Sequence, residues 1–368
     1  MKYALIICFS ILLFTKCKKE FSRDPKDFSE VEIETIINDS LLNVRAIEIA
    51  NNRIWFAGSN GETGCWNIPD YDASVEQSNV FAKIANMGHY NEGVRFRQMN
   101  SDTSGYELRA ITKITDKYFT LTAGSPAVLT KYDSFGRKIV YQEDHPKAFY
   151  DSMCFWNDQE GIAIGDPTDG CMSIIVTRDG GETWTKLPCE QLPKSEEGEA
   201  AFAASNTNIA VFGNHTWIAT GGKVSRIWYS PDKGKNWEVY KTPILQGAET
   251  TGIFSVDFYN ELDGFAIGGD YTKPELNASN KIRTTDGGKT WHLVAKSKNP
   301  GYRSCVQYIP HGAGKELVAI GFLGIDYSKD SGESWKHLSD EGFHTIRFLN
   351  DSVAYAAGKG RICRLKFK

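Results

Sequence analysis

From about residue 31 onward the chain alternates apolar and polar residues in short segments, each cut off by Gly, Asn, Asp or Ser. One segment type recurs: Ile54-Trp55-Phe56-Ala57-Gly58, residues 119–124, Gly161-Ile162-Ala163-Ile164-Gly165, residues 217–221, Gly264-Phe265-Ala266-Ile267-Gly268, residues 317–321 and residues 354–358. A run this short, apolar on both faces and ending in Gly, reads as a strand covered on both sides. Its final glycines lie on average about 50 residues apart, the length of a four-stranded unit. Seven units are therefore expected, each a strand a, the Gly-ended strand b, a strand c and a strand d, with almost no helix.

Between strands c and d a second pattern repeats. Thr177-Arg178-Asp179-Gly180-Gly181-Glu182-Thr183-Trp184 returns as Ser230-Pro231-Asp232-Lys233-Gly234-Lys235-Asn236-Trp237, and again at 284–291 and 328–335. Each copy places Gly two residues after Asp, then Thr, Asn or Ser four after it, then Trp five after it. The carboxylate can accept backbone N–H groups of the turn it opens, and the Gly can take a positive φ. An indole at the start of strand d adds a large apolar surface to the core. Asp179, Trp184, Asp232, Trp237, Asp286, Trp291, Asp330 and Trp335 are thus expected to be structural.

The end units differ. Unit two keeps a damaged turn at Tyr132-Asp133-Ser134-Phe135-Gly136, and unit one carries an insertion over about residues 67–105 in place of it. Unit seven runs out after three strands, and Val31-Glu32-Ile33-Glu34-Thr35-Ile36 alternates well enough to supply the fourth. The two ends are expected to share one blade, which closes the ring and removes exposed sheet edges.

Composition adds the setting. The 34 Gly residues suit many short strands joined by turns, and a formal charge of −4 offers no basic field for nucleic acid. Lys2, the apolar run 4–14 and Thr15-Lys16-Cys17 read as a signal peptide over 1–16, too short to span a bilayer. Residues 17–28 read as a charged tether, and the folded domain as 29–368. Six cysteines follow Cys17 with no CxxC spacing, so no zinc or thioredoxin-type motif is indicated, and sequence cannot pair them.

The quoted turns resemble the Asp-box, or bacterial neuraminidase (BNR) repeat. The whole pattern, over about residues 40–368, looks most like the photosystem II stability/assembly-factor-like propellers, including exported bacterial relatives, and more distantly like sialidases. The resemblance implies an all-β, seven-bladed propeller. Cys17 resembles the lipidated cysteine of a bacterial lipoprotein, although Lys16 departs from the small residue usual before it; an ordinary cleaved signal is the alternative. The implied location is the cell envelope, with the membrane reached through a lipid anchor.

In such a ring the residues that lead into strand a meet at one end of the axis. Aligning strand a by its apolar alternation brings Arg45, Arg109, Asp151, Glu199, Phe254, Ser304 with Arg303 beside it, and His344 to that mouth. Three arginines there suit a ligand with an anionic group. The alternative is that these side chains pair among themselves. Sialidase-like hydrolysis would need an arginine cluster, an acid, and a tyrosine activated by a glutamate. Asp151, Glu199 and Tyr302, or Tyr150, could fill those places, but the family's Arg-Ile-Pro is absent, Arg45 preceding Ala46-Ile47. No P-loop, GxGxxG helix start or HExxH is present, so no cofactor and no metal are expected. The leading expectation is an exported, non-catalytic, monomeric binding or assembly propeller that presents its upper face to a protein or glycan partner. The aromatic-rich insertion would serve as an interface or as a lid. The runner-up is hydrolysis of an anionic glycan.

Overall fold

The computed structural model describes residues 23–68, 94–96 and 106–368. The expected signal peptide and Cys17 lie outside the described residues, as does most of the 67–105 insertion. The regular secondary structure of the described residues is β-strand, antiparallel throughout, with a three-residue 3-10 turn at Cys189–Gln191 as its helical element. The architecture is an all-β propeller of four-stranded blades, as the repeat length required.

Six hydrogen-bonded sheets make up the ring, not the seven separate blades read from the sequence. Four have four strands each, led by Leu108–Ile114, Tyr150–Phe155, Ile209–Phe212 and Cys305–Tyr308. A six-stranded sheet is built on Thr251–Phe258, which continues sideways through Gly221–Gly222 to Glu199–Ala200. The other six-stranded sheet accounts for the count. Its strand Val31–Ala50 is twenty residues long and does not stop between repeats. One half pairs with the last strand, Val353–Phe367, from Val31 opposite Phe367 to Asn43 opposite Lys359. The other half pairs with Arg53–Gly58, from Val44 opposite Gly58 to Ala50 opposite Arg53. One backbone therefore fuses the first and last repeats into a single sheet: the pairing register shifts across Asn38-Asp39-Ser40, but the strand runs on through it.

Of the stretch read as a tether, residues 23–28 are described and lie packed against the ring. Phe28 is buried 5.1 Å from the Tyr327 ring. The fully buried Glu316 accepts from Lys26 N (2.9 Å) and Tyr327 Oη (2.9 Å) and ion-pairs with Arg23 at 2.5 Å.

The Asp turns bond as their spelling requires. Asp179 Oδ1 accepts from Thr177 Oγ1 (2.8 Å) and Thr183 N (3.0 Å), and Oδ2 accepts from Thr183 Oγ1 (2.6 Å). Asp232, Asp286 and Asp330 repeat this with Asn236, Thr290 and Ser334. Trp237, Trp291 and Trp335 each return the indole N–H to the turn glycine's carbonyl, whereas the buried Trp184 indole N–H has no partner among the described residues. The glycine also serves packing between sheets. A Cβ on Gly181 would lie 2.3 Å from the Phe119 ring of the preceding sheet, on Gly288 2.9 Å from Trp217, and on Gly332 2.1 Å from Phe265. The turn and the aromatic of strand b in the neighbouring repeat are thus one fitted joint.

Burial raises the pKa of these four aspartates, but the hydroxyl, amide and backbone donors more than offset it, and each sits below its ordinary 3.8. A depressed folded pKa stabilises the fold above the unfolded value, and this is lost as pH falls through the folded one. The urea midpoint should therefore drop on acidification below about pH 4, with a shallower slope when all four are Asn. A midpoint equally acid-sensitive in the fourfold Asn variant would remove the turns as the cause.

Cys171 and Cys189 form a disulfide across a separation of 18 residues, while Cys65, Cys305 and Cys363 are buried as thiols.

Candidate functional site

The centre of the ring is filled by the chain itself. Residues 201–208 form no strand, because they lead into Ile209–Phe212 by crossing the axis. Ala203 O accepts from Arg109 Nη1 (2.8 Å), Ala204 O from Arg45 Nη1 (3.4 Å) and Ser205 O from Thr345 Oγ1 (3.0 Å). Ser205 Oγ donates to Ser304 O (2.7 Å), and Thr207 Oγ1 donates to Ser255 Oγ (2.8 Å). Asn206, at φ 57°, accepts from Met153 N (3.0 Å) and donates to Ile111 O (3.0 Å). This plug bonds to all five other sheets, and it forms the floor of a cavity of about 480 Å³ at the end of the axis where strand a begins.

Arg45, Arg109, Phe254, Ser304 and His344, which the alignment of strand a brings to the mouth, line that cavity together with Tyr302. Arg45 has no carboxylate partner among the described residues, and its buried Nε has no hydrogen bond. Burial, then Arg109, pulls its pKa down from the usual guanidinium value. Arg109 ion-pairs with Glu107 and likewise leaves its Nε unpartnered. His344 Nε2 lies 3.1 Å from Asn43 Oδ1, and burial, reinforced by Arg45 and Arg109, pushes its pKa down to about 3. It is a neutral imidazole at any physiological pH.

The remaining candidates go elsewhere. Arg303 is buried and spends its guanidinium on Asp326 (2.7 and 2.6 Å) and the Tyr302 carbonyl (2.8 Å), with His337 Nδ1 3.0 Å from the other Asp326 oxygen. Glu199 accepts from Thr220 Oγ1 (2.7 Å), Arg226 Nε (3.1 Å) and Trp228 Nε1 (3.0 Å), and borders a neighbouring cleft rather than the arginine cavity. Asp151 is fully buried, and among the described residues neither of its oxygens has a hydrogen-bond partner. Burial, then the nearby Asp166, holds its carboxyl well above the usual range against the pull of Arg109. Asp151, Glu199 and Tyr302 therefore do not assemble as acid, activator and nucleophile on one space. Tyr150 is buried too, its hydroxyl given to Glu143 (2.8 Å). Among the described residues no group of three His, Cys, Asp or Glu is placed to hold a metal ion.

What the alignment did not show is that Phe254 belongs to an aromatic wall with Phe202, Tyr302, Phe322 and Tyr271. Phe202 and Phe254 stack with centroids 3.9 Å apart, Tyr302 meets Phe254 edge-on at 4.8 Å, and the half-exposed Phe322 and Tyr271 extend the group to the rim. Phe202 sits in the plug, where no strand periodicity marks it.

The family model for the BNR/Asp-box repeat matches residues 282–293, the third of the four Asp turns. Solved structures of like shape include YCF48 bound to D1 peptide, 12% identical, covering 94% of this chain and 98% of that one with a TM-score of 0.62. The fold is that of a BNR-type β-propeller. YCF48 from Cyanidioschyzon merolae is similar at 11% identity, 91% and 98% coverage and a TM-score of 0.62. The computationally designed Ika8 protein is similar at 10% identity, 91% and 100% coverage and a TM-score of 0.54. No curated protein matches this propeller in sequence. At these identities the shared property is the arrangement of sheets, and the cavity must be read from its own side chains.

Proposed function

We propose that this chain is an exported, non-catalytic binding propeller that receives an anionic segment of a protein partner in the plugged cavity, and that Cys17 holds it at a membrane. One observation carries the binding site: Arg45, half-buried, with no ion-pair partner among the described residues and a buried Nε that finds none there, faces a cavity walled by aromatic rings. A partly desolvated charge without a counterion is unfavourable, and an incoming carboxylate would supply one. The forked guanidinium suits it geometrically, and the rings beside it suit an apolar neighbour on the ligand. YCF48, which shares the fold, has been seen bound to D1 peptide, and this supports a peptide as the type of occupant.

The test is calorimetric titration of an array of acidic peptides against wild type and Arg45→Ala. Charge-assisted hydrogen bonds of this kind predict a loss of about 10- to 100-fold in affinity. The variant should melt no lower than wild type, because it removes a partly desolvated charge that has no ion-pair partner among the described residues. Equal binding by both proteins would move the partner to another surface.

A further inference from the structure

The cavity has a second pole, of opposite sign. Asp166, in strand Gly161–Thr168, and Glu249, just ahead of Thr251–Phe258, also line it. Asp166 Oδ1 accepts from Ala201 N at 2.7 Å, and among the described residues neither carboxylate has an ion-pair partner. Arg45 has none either, and Arg109 is paired to Glu107 outside this acidic pair. Four ionisable side chains thus border one space of about 480 Å³ without neutralising one another across it. A cavity whose charges only closed it off would show them bonded together, as Glu199 with Arg226 and Arg303 with Asp326 are a short distance away. Burial pushes Asp166 up to about 6, a penalty on its charged form that a neighbouring cation would relieve. The volume lies in the range of small-ligand sites, larger than one amino acid needs and too small for a folded domain.

We infer that the cavity binds a short free peptide as a zwitterion, its carboxylate on Arg45 and Arg109, its ammonium at Asp166 and Glu249, and an aromatic side chain against Phe202 and Phe254. This rests on the reading of the cavity as a ligand site but asks more of the occupant, since an internal acidic segment of a protein would use only the arginine pole.

The probe is the tripeptide alanyl-alanyl-phenylalanine, titrated into wild type, Asp166→Asn, Glu249→Gln and Arg45→Ala as the free form, the N-acetyl form and the C-terminal amide. Asn keeps the acceptor that Ala201 N–H uses, so the Asp166 variant should retain the wild-type melting temperature, which is checked first. The expected result is that acetylation and amidation each weaken binding by about tenfold or more. Asp166→Asn and Glu249→Gln should each lower affinity for the free form and shrink the loss on acetylation, and the double variant should bind the free and acetylated forms alike. Acetylated and free forms binding alike would overturn the inference while leaving an arginine site for partner peptides. No binding of the tripeptide, with long acidic peptides still bound in an Arg45-dependent way, would overturn it too. Binding of neither would remove both readings.

Discussion

Glu199→Ala should lower the unfolding free energy by about 3–5 kcal/mol, read as a fall in the urea midpoint at unchanged slope. The carboxylate is fully buried and bonds at once to Arg226, Thr220 and the Trp228 indole, with Glu196 N closing the set at 3.0 Å. Truncation strands all of these donors, and the Arg226 guanidinium is left mostly buried with only the Lys194 carbonyl and the more distant, exposed Glu196. Glu199→Gln should fall between, since it keeps an acceptor but loses the charge. The same pair of variants separates the structural role from a catalytic one: Gln should bind cavity ligands as wild type does. A loss below about 1 kcal/mol for Ala would mean that the ion pair, whose desolvation opposes its attraction, contributes little on balance.

Gly332→Ala is expected to cost about 2–5 kcal/mol. About 1–2 of this comes from forcing a Cβ into the left-handed region at φ 86°, and about 1–3 from driving that Cβ into Phe265 at 2.1 Å. Gly213→Ala is the matched control: it too has a positive φ, 58°, but no atom lies within 4 Å of an added Cβ, so only the first part applies. The difference between the two melting free energies isolates the joint between the Asp turn and the preceding sheet. Equal losses would mean that the Phe265 ring gives way freely and that the turn glycine is selected by backbone conformation alone.

These cases mark how far the sequence could be read. The Asp turns were legible because each one's bonds close within a few residues, as from Asp286 to Thr284 and Thr290, so spelling and structure coincide. Strand order within a repeat was legible for the same reason. The number of sheets was not, because it depends on whether Val31–Ala50 runs unbroken from one partner to the next, and those partners lie at opposite ends of the chain. Aligning strand a located the backbone of the mouth residues but not where their side chains turn: Arg45 and Arg109 face the cavity, while Arg303 finds Asp326, 23 residues on, and Glu199 finds Arg226, 27 residues on. The plug escaped altogether. Residues 201–208 have no periodicity, and the bonds that tie Ser205 and Thr207 to Ser304, Thr345 and Ser255 reach 48 residues or more along the chain.

The strand that joins the first and last repeats has a temporal consequence. During synthesis Val31–Ala50 emerges long before Val353–Phe367, and until that final strand is made the early one can satisfy only the half of its backbone that pairs with Arg53–Gly58. A chain stalled anywhere before residue 353 would carry an open hydrogen-bonding edge available to any other strand, the condition under which aggregation and intermolecular exchange set in.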